Sequence, residues 1–369
     1  MTRLPRTAAT LAALLSIGVL AGCSTGAPQA ATETATAGAR VPLAELDLAA
    51  DPRTVQGETT AILSDAEIIP LPGTPVQSLP VTVTSHDREG DVEVTVTSTR
   101  RLLGIDISGT IATPIAGLGF ADSLVGRDLS TTFPGTAQLP LVTRGGHSAN
   151  AESILALKPS LIITDGTVGP GDVLLQLRDA GIPLVFIERE PGFADSSSVA
   201  IQVAAALGAP AAGEQLAARL QQQIAEKVAE IAAIAPADPA RKVRMLFLYL
   251  RGNSGIYYLF GEESGADDLI TGIGGVDVAG EIGWKGMRPM TDEAMIAANP
   301  DLILVMTNGI ASAGGVDGLL EARPAIALTA AGQNRRFVDM ADGEILGFGP
   351  RTPDVLDALA RAVYAPGTQ

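Results

Sequence analysis

Among 369 residues there are only two histidines and four tyrosines, so the position of each carries weight. His147 stands on a Gly145-Gly146 turn, just after the apolar run Leu139 to Thr143, which reads as a strand. Tyr249 closes a second apolar run, residues 243–249, and Arg251 follows two positions later. In open parallel sheets ligands bind outside the carboxyl ends of strands, and both residues fall at such ends. Imidazole and phenol can each ligate iron. A phenol has an ordinary pKa of about 10 and must lose its proton to bind ferric iron well; a neighbouring guanidinium favours that loss. If the strand continues to residue 251, Tyr249 and Arg251 share a face, because side chains alternate. Each residue also has a plain structural explanation, since loop histidines are commonly just exposed and strand-end tyrosines commonly half-buried. Their matched places favour the ligand pair.

Enzyme signatures are absent, so the chain reads as a binding protein and not an enzyme. Gly252-Asn253-Ser254-Gly255 lacks the spacing of a nucleophile elbow, and Gly272-Ile273-Gly274-Gly275 is no dinucleotide fingerprint. Two histidines in total argue against a histidine-rich zinc or manganese centre. The other one, His86, lies in the polar turn 86–91 of a hairpin and reads as solvated.

The elements that must position the pair are organised around residues 210–236. Leu216, Leu220, Ile224, Val228 and Ile231 recur there at helical spacing among strong helix formers. Pro210 suits the first turn of this helix, and Pro236 with Pro239 ends it. Segments 101–207 and 242–363, on either side, both alternate short β-rich runs with helical patterns. The expected fold is α/β: two Rossmann-like lobes joined by one long α-helix, with a ligand cleft between them. The boundaries that follow are an N-terminal lobe at 81–209, the connecting helix at 210–236 and a C-terminal lobe at 237–369. A repeat supports this, for Glu152 to Ile163 parallels Glu293 to Leu304, with Lys158-Pro159 matching Asn299-Pro300. Residues 81–96 alternate as a hairpin, whereas 46–80 carry many prolines and no usable period.

Composition bounds the partners. Hydrophobic residues make up 46% and charged ones 18%, enough for sizeable cores, and the net charge of −16 argues against nucleic acid. Residues 1–22 read as a signal peptide, with Arg3 and Arg6 ahead of an apolar core too short to span a bilayer. Leu20-Ala21-Gly22-Cys23 resembles the bacterial lipobox, which makes Cys23, the only cysteine, the expected lipidation site. Cleavage there would take the charge from −16 to −18. Residues 23–80 would then be a flexible or unassigned tether, holding the protein at the outer face of the cytoplasmic membrane.

Several passages in order across both lobes resemble one family: Val125-Gly126-Arg127-Asp128, Gly145-Gly146-His147, Tyr249-Leu250-Arg251-Gly252, Ser264-Gly265-Ala266-Asp267, Gly314-Gly315-Val316-Asp317 and Phe348-Gly349-Pro350-Arg351. Residues 80–364 resemble the class III substrate-binding proteins of ABC importers, in particular the haem-binding lipoproteins of Gram-positive and actinobacterial haem uptake. The resemblance implies haem b as the transported ligand, with His147 and Tyr249 as axial ligands and Arg251 bonding the tyrosine. It also implies that Glu152 and Glu293, one on each lobe's rim, dock an ABC permease that works with its ATPase. By position in the fold, Arg351 and Arg144 are candidates for propionate contact, Arg288 could also edge the cleft, and Met287, Trp284 or Tyr258 could wall the porphyrin. A monomer is expected. A ferric siderophore or corrinoid receptor of the same fold is the alternative cargo, and an exported α/β hydrolase the distant one.

Overall fold

Strands rich in branched and aromatic residues form two separate sheets, and a single helix is built into the cores of both. The computed structural model describes residues 40–63 and 67–368. The signal peptide, Cys23 and the first part of the tether lie outside these residues.

The first lobe is built on three parallel strands, Leu102–Ile105, Leu161–Thr164 and Leu184–Phe186, the second of them central. Their buried, nearly unbroken apolar runs are what a sheet covered on both faces requires. Helices Ala112–Gly117 and Phe193–Ala206 pack on one face and Ala151–Leu157 and Gly171–Asp179 on the other. The hairpin Val81–Asp87 and Gly90–Val96 forms as its alternation indicates. The run at 139–143 gives only a bridge at Leu141 and a two-residue strand, Thr143–Arg144.

The second lobe has a seven-stranded mixed sheet. Strand Arg244–Arg251 is its pivot. It runs parallel to Leu302–Met306 and antiparallel to Ile256–Phe260, which in turn pairs antiparallel with Met287–Pro289. Four short helices between Thr307 and Gln333, too brief to carry a clear period, complete the layer.

Helix Pro210–Ile234 joins the lobes. Leu216 and Leu220 lie in the first lobe's core, while Ile224 and Ile231 lie in the second lobe's. The repeat read in the sequence is reproduced in detail. Asn150 and Thr291 each cap a seven-residue helix through the side chain, accepting from the N–H of Ser153 and Ala294. Each helix then ends on a left-handed residue, Lys158 or Asn299, ahead of a proline and a strand.

From Arg40 onward the tether expected at 23–80 is folded instead. Leu43 is buried in the second lobe's core, and the Ala49 N–H donates to the Tyr364 carbonyl at 2.8 Å. Glu58–Thr60 adds an edge strand, parallel to Phe337–Met340. Beyond it, the N–H of Leu71 donates to Gly117 O and that of Ser78 to Gly208 O, both at 2.8 Å, on the first lobe. Sequence periodicity cannot show this, because a three-residue strand has none, and the rest of the stretch is held by backbone hydrogen bonds. The chain therefore crosses between lobes twice, and Ala39–Gln369 form one compact unit.

Arg336 secures the edge strand to the second lobe. It is 1% exposed, with its guanidinium donating to Gly57 O at 3.2 Å, Thr59 Oγ1 at 2.8 Å and Ala362 O at 2.6 Å. Burial lowers its pKa to about 10, so it remains charged at neutral pH. Replacing it removes several charge-assisted bonds and leaves buried acceptors unmet. Arg336→Ala should cost about 3 kcal/mol in urea unfolding, whereas a loss below 0.5 kcal/mol would show that the strap contributes little.

Candidate functional site

Tyr249 and Arg251 do share a face, because strand Arg244–Arg251 continues through both. Register fixes the rest of that wall. Tyr249 lies opposite Tyr258, Arg251 opposite Ile256, and Phe260 opposite both Phe247 and Met287. Tyr249 is half-buried and stacks on Phe260, with ring centroids 6.1 Å apart. On the face that carries Tyr249, Ile256 is 36% exposed beside Arg251 and Met287 is 56% exposed beside Phe260, at opposite ends of strand Ile256–Phe260. Trp284 is not on this face. Its indole N–H donates to Leu259 O at 3.1 Å and it packs in the core on the opposite face, with Arg288 stacked 4.7 Å over its ring.

The Arg251 guanidinium lies over the Tyr249 ring, 4.7 Å from its centroid, and does not bond the hydroxyl. Its Nη1 donates to Leu250 O at 2.9 Å and its Nη2 to Asp342 at 2.8 Å.

His147 comes from the first lobe, on the tight hairpin that pairs Thr143–Arg144 with Ser148–Ala149. Gly145 and Gly146 both have positive φ, 54° and 93°, a conformation that L side chains resist; this is why the turn needs two glycines. The hairpin is anchored at its base, where Gly169 N–H donates to His147 O at 3.2 Å. Nδ1 of His147 is buried and has no hydrogen-bond partner among the described residues. Burial first, and then the Arg251 charge, hold the imidazole below its ordinary 6.5, while Asp342 acts in the opposite sense. Both of those charges belong to the second lobe.

The other candidates divide. Arg144 is exposed and has no ion-pair partner among the described residues. Arg351 is 6% exposed, bonded to Glu344 at 2.7 Å, and sits beside a seam cavity of about 10 Å³ that Thr113 and Ser130 of the first lobe also line. That space suits one water, so Arg351 is here a seam residue, and a propionate would have to displace Glu344 to reach it. Glu152 and Glu293 are exposed, each the second residue of its repeated helix, and neither has an ion-pair partner among the described residues. Among these residues no cluster of three or more His, Cys, Asp or Glu could hold a bare metal ion, and no helix is long and apolar enough to cross a membrane.

Sequence reasoning missed the support. Asp342, which holds Arg251, is an isolated acid in a loop without any motif. Beneath the first-lobe wall, Arg189 bonds Asp195 at 2.7 Å and Asp165 at 2.9 Å, and Asp106 accepts from the Thr110 and Ile111 N–H at the start of Ala112–Gly117. Asp128 accepts from the Asp106 N–H, and burial with Asp106 nearby pushes its carboxyl up to about 7. Asp106 and Asp165 directly follow strand ends, the only signal available, whereas Asp195 lies in the first turn of Phe193–Ala206.

Two α/β lobes joined by one helix are the architecture of a class of solute receptor, and the comparisons agree. The chain belongs to the periplasmic binding protein family, whose sequence pattern matches residues 107–342. The crystal structure of the haem-binding protein HmuT is 38% identical over 85% of this chain and 99% of that one, with a TM-score of 0.77. Solved alanine variants of HmuT, at one histidine, one tyrosine and one arginine, match equally well. The apo form of the periplasmic haem-binding protein RhuT from Roseiflexus sp. RS-1 is 36% identical, over 73% of this chain and 99% of that one, with a TM-score of 0.64. The ABC transporter substrate-binding lipoprotein YvrC of Bacillus subtilis (strain 168), itself uncharacterised, is 25% identical over 77% of this chain and 86% of that protein.

The depressed imidazole can be read directly. The His147 ring should titrate below 6.5 by NMR, and Arg251→Ala should raise its pKa, since only burial then opposes Asp342. The unfolded chain takes up this proton first, so folding stability should fall as pH drops from 6.5 towards the folded value. An unmoved titration in the variant would mean that the two lobes do not face each other here.

Proposed function

We propose that this protein is the haem receptor of an ABC importer, holding ferric haem between its lobes and passing it to a membrane permease. What supports this is a first-lobe His147 whose buried Nδ1 has no partner among the described residues and which lies under the charges of Arg251 and Asp342, together with the Tyr249–Arg251 pair of the other lobe. An unpaired buried nitrogen is costly and rare unless something satisfies it, and a metal does so. Neutral imidazole is the form that ligates, and its surroundings favour that form. Ile256 and Tyr258, with Met287 on the neighbouring strand, offer apolar surface to a porphyrin face, and Arg144, exposed on the hairpin of His147 and without an ion-pair partner among the described residues, suits a propionate. The similarity to HmuT and RhuT, both haem-binding by name, favours this cargo over a siderophore or corrinoid.

In this reading Tyr249 supplies the phenolate, Arg251 steadies it, and His147 closes the other axial position. Glu152 and Glu293 are the docking carboxylates for the permease, being exposed and repeated on the two lobes. Lipidation at Cys23 places the receptor on the outer face of the membrane, and no catalytic step is required of it.

Titration with hemin at neutral pH should give a Soret band that saturates, and its absence would reject the reading. Tyr249→Ala and His147→Ala should each shift that band and weaken retention by about tenfold or more, with the melting temperature little changed. Replacing Glu152 and Glu293 together by Ala should leave the spectrum intact while uptake in cells falls. Normal uptake would remove the docking role.

A further inference from the structure

Asp342 lies two residues beyond strand Phe337–Met340, at the carboxyl end where the sheet meets the cleft. One of its oxygens accepts from Arg251 Nη2 at 2.8 Å, the other from the backbone N–H of Asn308 at 2.9 Å. The carboxylate is thereby fixed to the start of helix Thr307–Ser312. Arg251 is enclosed on its remaining sides. The Tyr249 ring lies on one face, Leu250 O takes Nη1, and a Cβ on Gly309 would stand 3.2 Å from that same nitrogen. Of the two acceptors only Asp342 is an anion, and only it belongs to a different segment of the chain. The next residue, Gly343, abuts the first lobe, where a Cβ at this position would come 2.7 Å from Ser130 O. One loop therefore both holds Arg251 and touches the opposite lobe.

We propose that Asp342 is a positioning residue that keeps the Arg251 guanidinium on the face of the Tyr249 ring and links that placement to the closeness of the lobes. The proposal rests on the haem reading for what the placement achieves. A guanidinium on a long flexible side chain spreads over many rotamers unless it is anchored. Anchored by Asp342, it lends its charge to the phenol oxygen without capturing that oxygen in a hydrogen bond, so the oxygen remains open to iron. The Asn308 bond gives Asp342 a structural role as well, and the test must separate the two.

A double-mutant cycle does so. Haem loss to an excess of a scavenging acceptor is timed for the wild type, Asp342→Ala, Arg251→Ala and the double variant. Asp342→Ala should speed loss by about tenfold when Arg251 is present, the order one charge-assisted hydrogen bond supports, and by less than about twofold when it is absent. Equal acceleration in both backgrounds, or none in either, overturns the proposal. A crystal structure of ligand-free Asp342→Ala gives a second readout, in which the guanidinium should leave the ring face, beyond about 6 Å from its centroid. A guanidinium still stacked would overturn the proposal even if the wild type bound no haem, whereas a wild type without a Soret band rejects only the cargo.

Discussion

One helix buried in two cores sets the geometry of everything else. Pro210–Ile234 runs about 37 Å at 1.5 Å per residue, and its apolar stripe is shared between the lobes. Leu216 and Leu220 could not leave the first core, nor Ile224 and Ile231 the second, without exposing large apolar area at about 25 cal/mol per Å². The lobes are therefore held at a nearly fixed separation by a stiff rod. Residues 40–63 pack on the second lobe and residues 68–80 on the first, and the seam around Ser130, Gly343 and Arg351 closes the floor. Such a frame favours small rocking over wide hinge closure, which suits a site that grips one flat ligand from both sides.

Within that frame the electrostatics of the cleft are local. The chain carries a net charge of −16, yet the residues nearest the ligand pair include Arg251 and Arg144. Screening over about 8–10 Å lets those nearby charges outweigh the acidic remainder of the surface. Arg251 does not act as a free cation, because Asp342 and Leu250 O hold it against the ring. The cost of burying the first lobe's acids is met by gathering Asp106, Asp165 and Asp195 around Arg189, which stiffens the loops at the strand ends.

Much of this was legible in the sequence. The connecting helix was, because five apolar residues at helical spacing leave no other face to bury. The repeated helix and strand were too, down to the residue, since caps, proline and apolar run recur in one order. The proposed ligand pair stood out in the sequence only as two rare side chains at two strand ends, made specific by family motifs. The strap was not, because it is held through backbone bonds and through Arg336, whose partners lie at Gly57, Thr59 and Ala362.

Sequence alone determined that one long helix stands between two α/β segments, that a helix–strand unit recurs in each, and which side chains are chemically able to hold iron. These are local matters of periodicity, capping and side-chain type, each readable within a few residues. Tertiary structure alone decided that Arg251 stacks on Tyr249 and does not bond its hydroxyl, that Asp342 holds it there, and that Arg351 is committed to Glu344. It also put Trp284 on the wrong face of the sheet to wall the cleft. Those outcomes depend on which of several competing partners a side chain meets once distant segments pack, and no spacing along the chain encodes that choice.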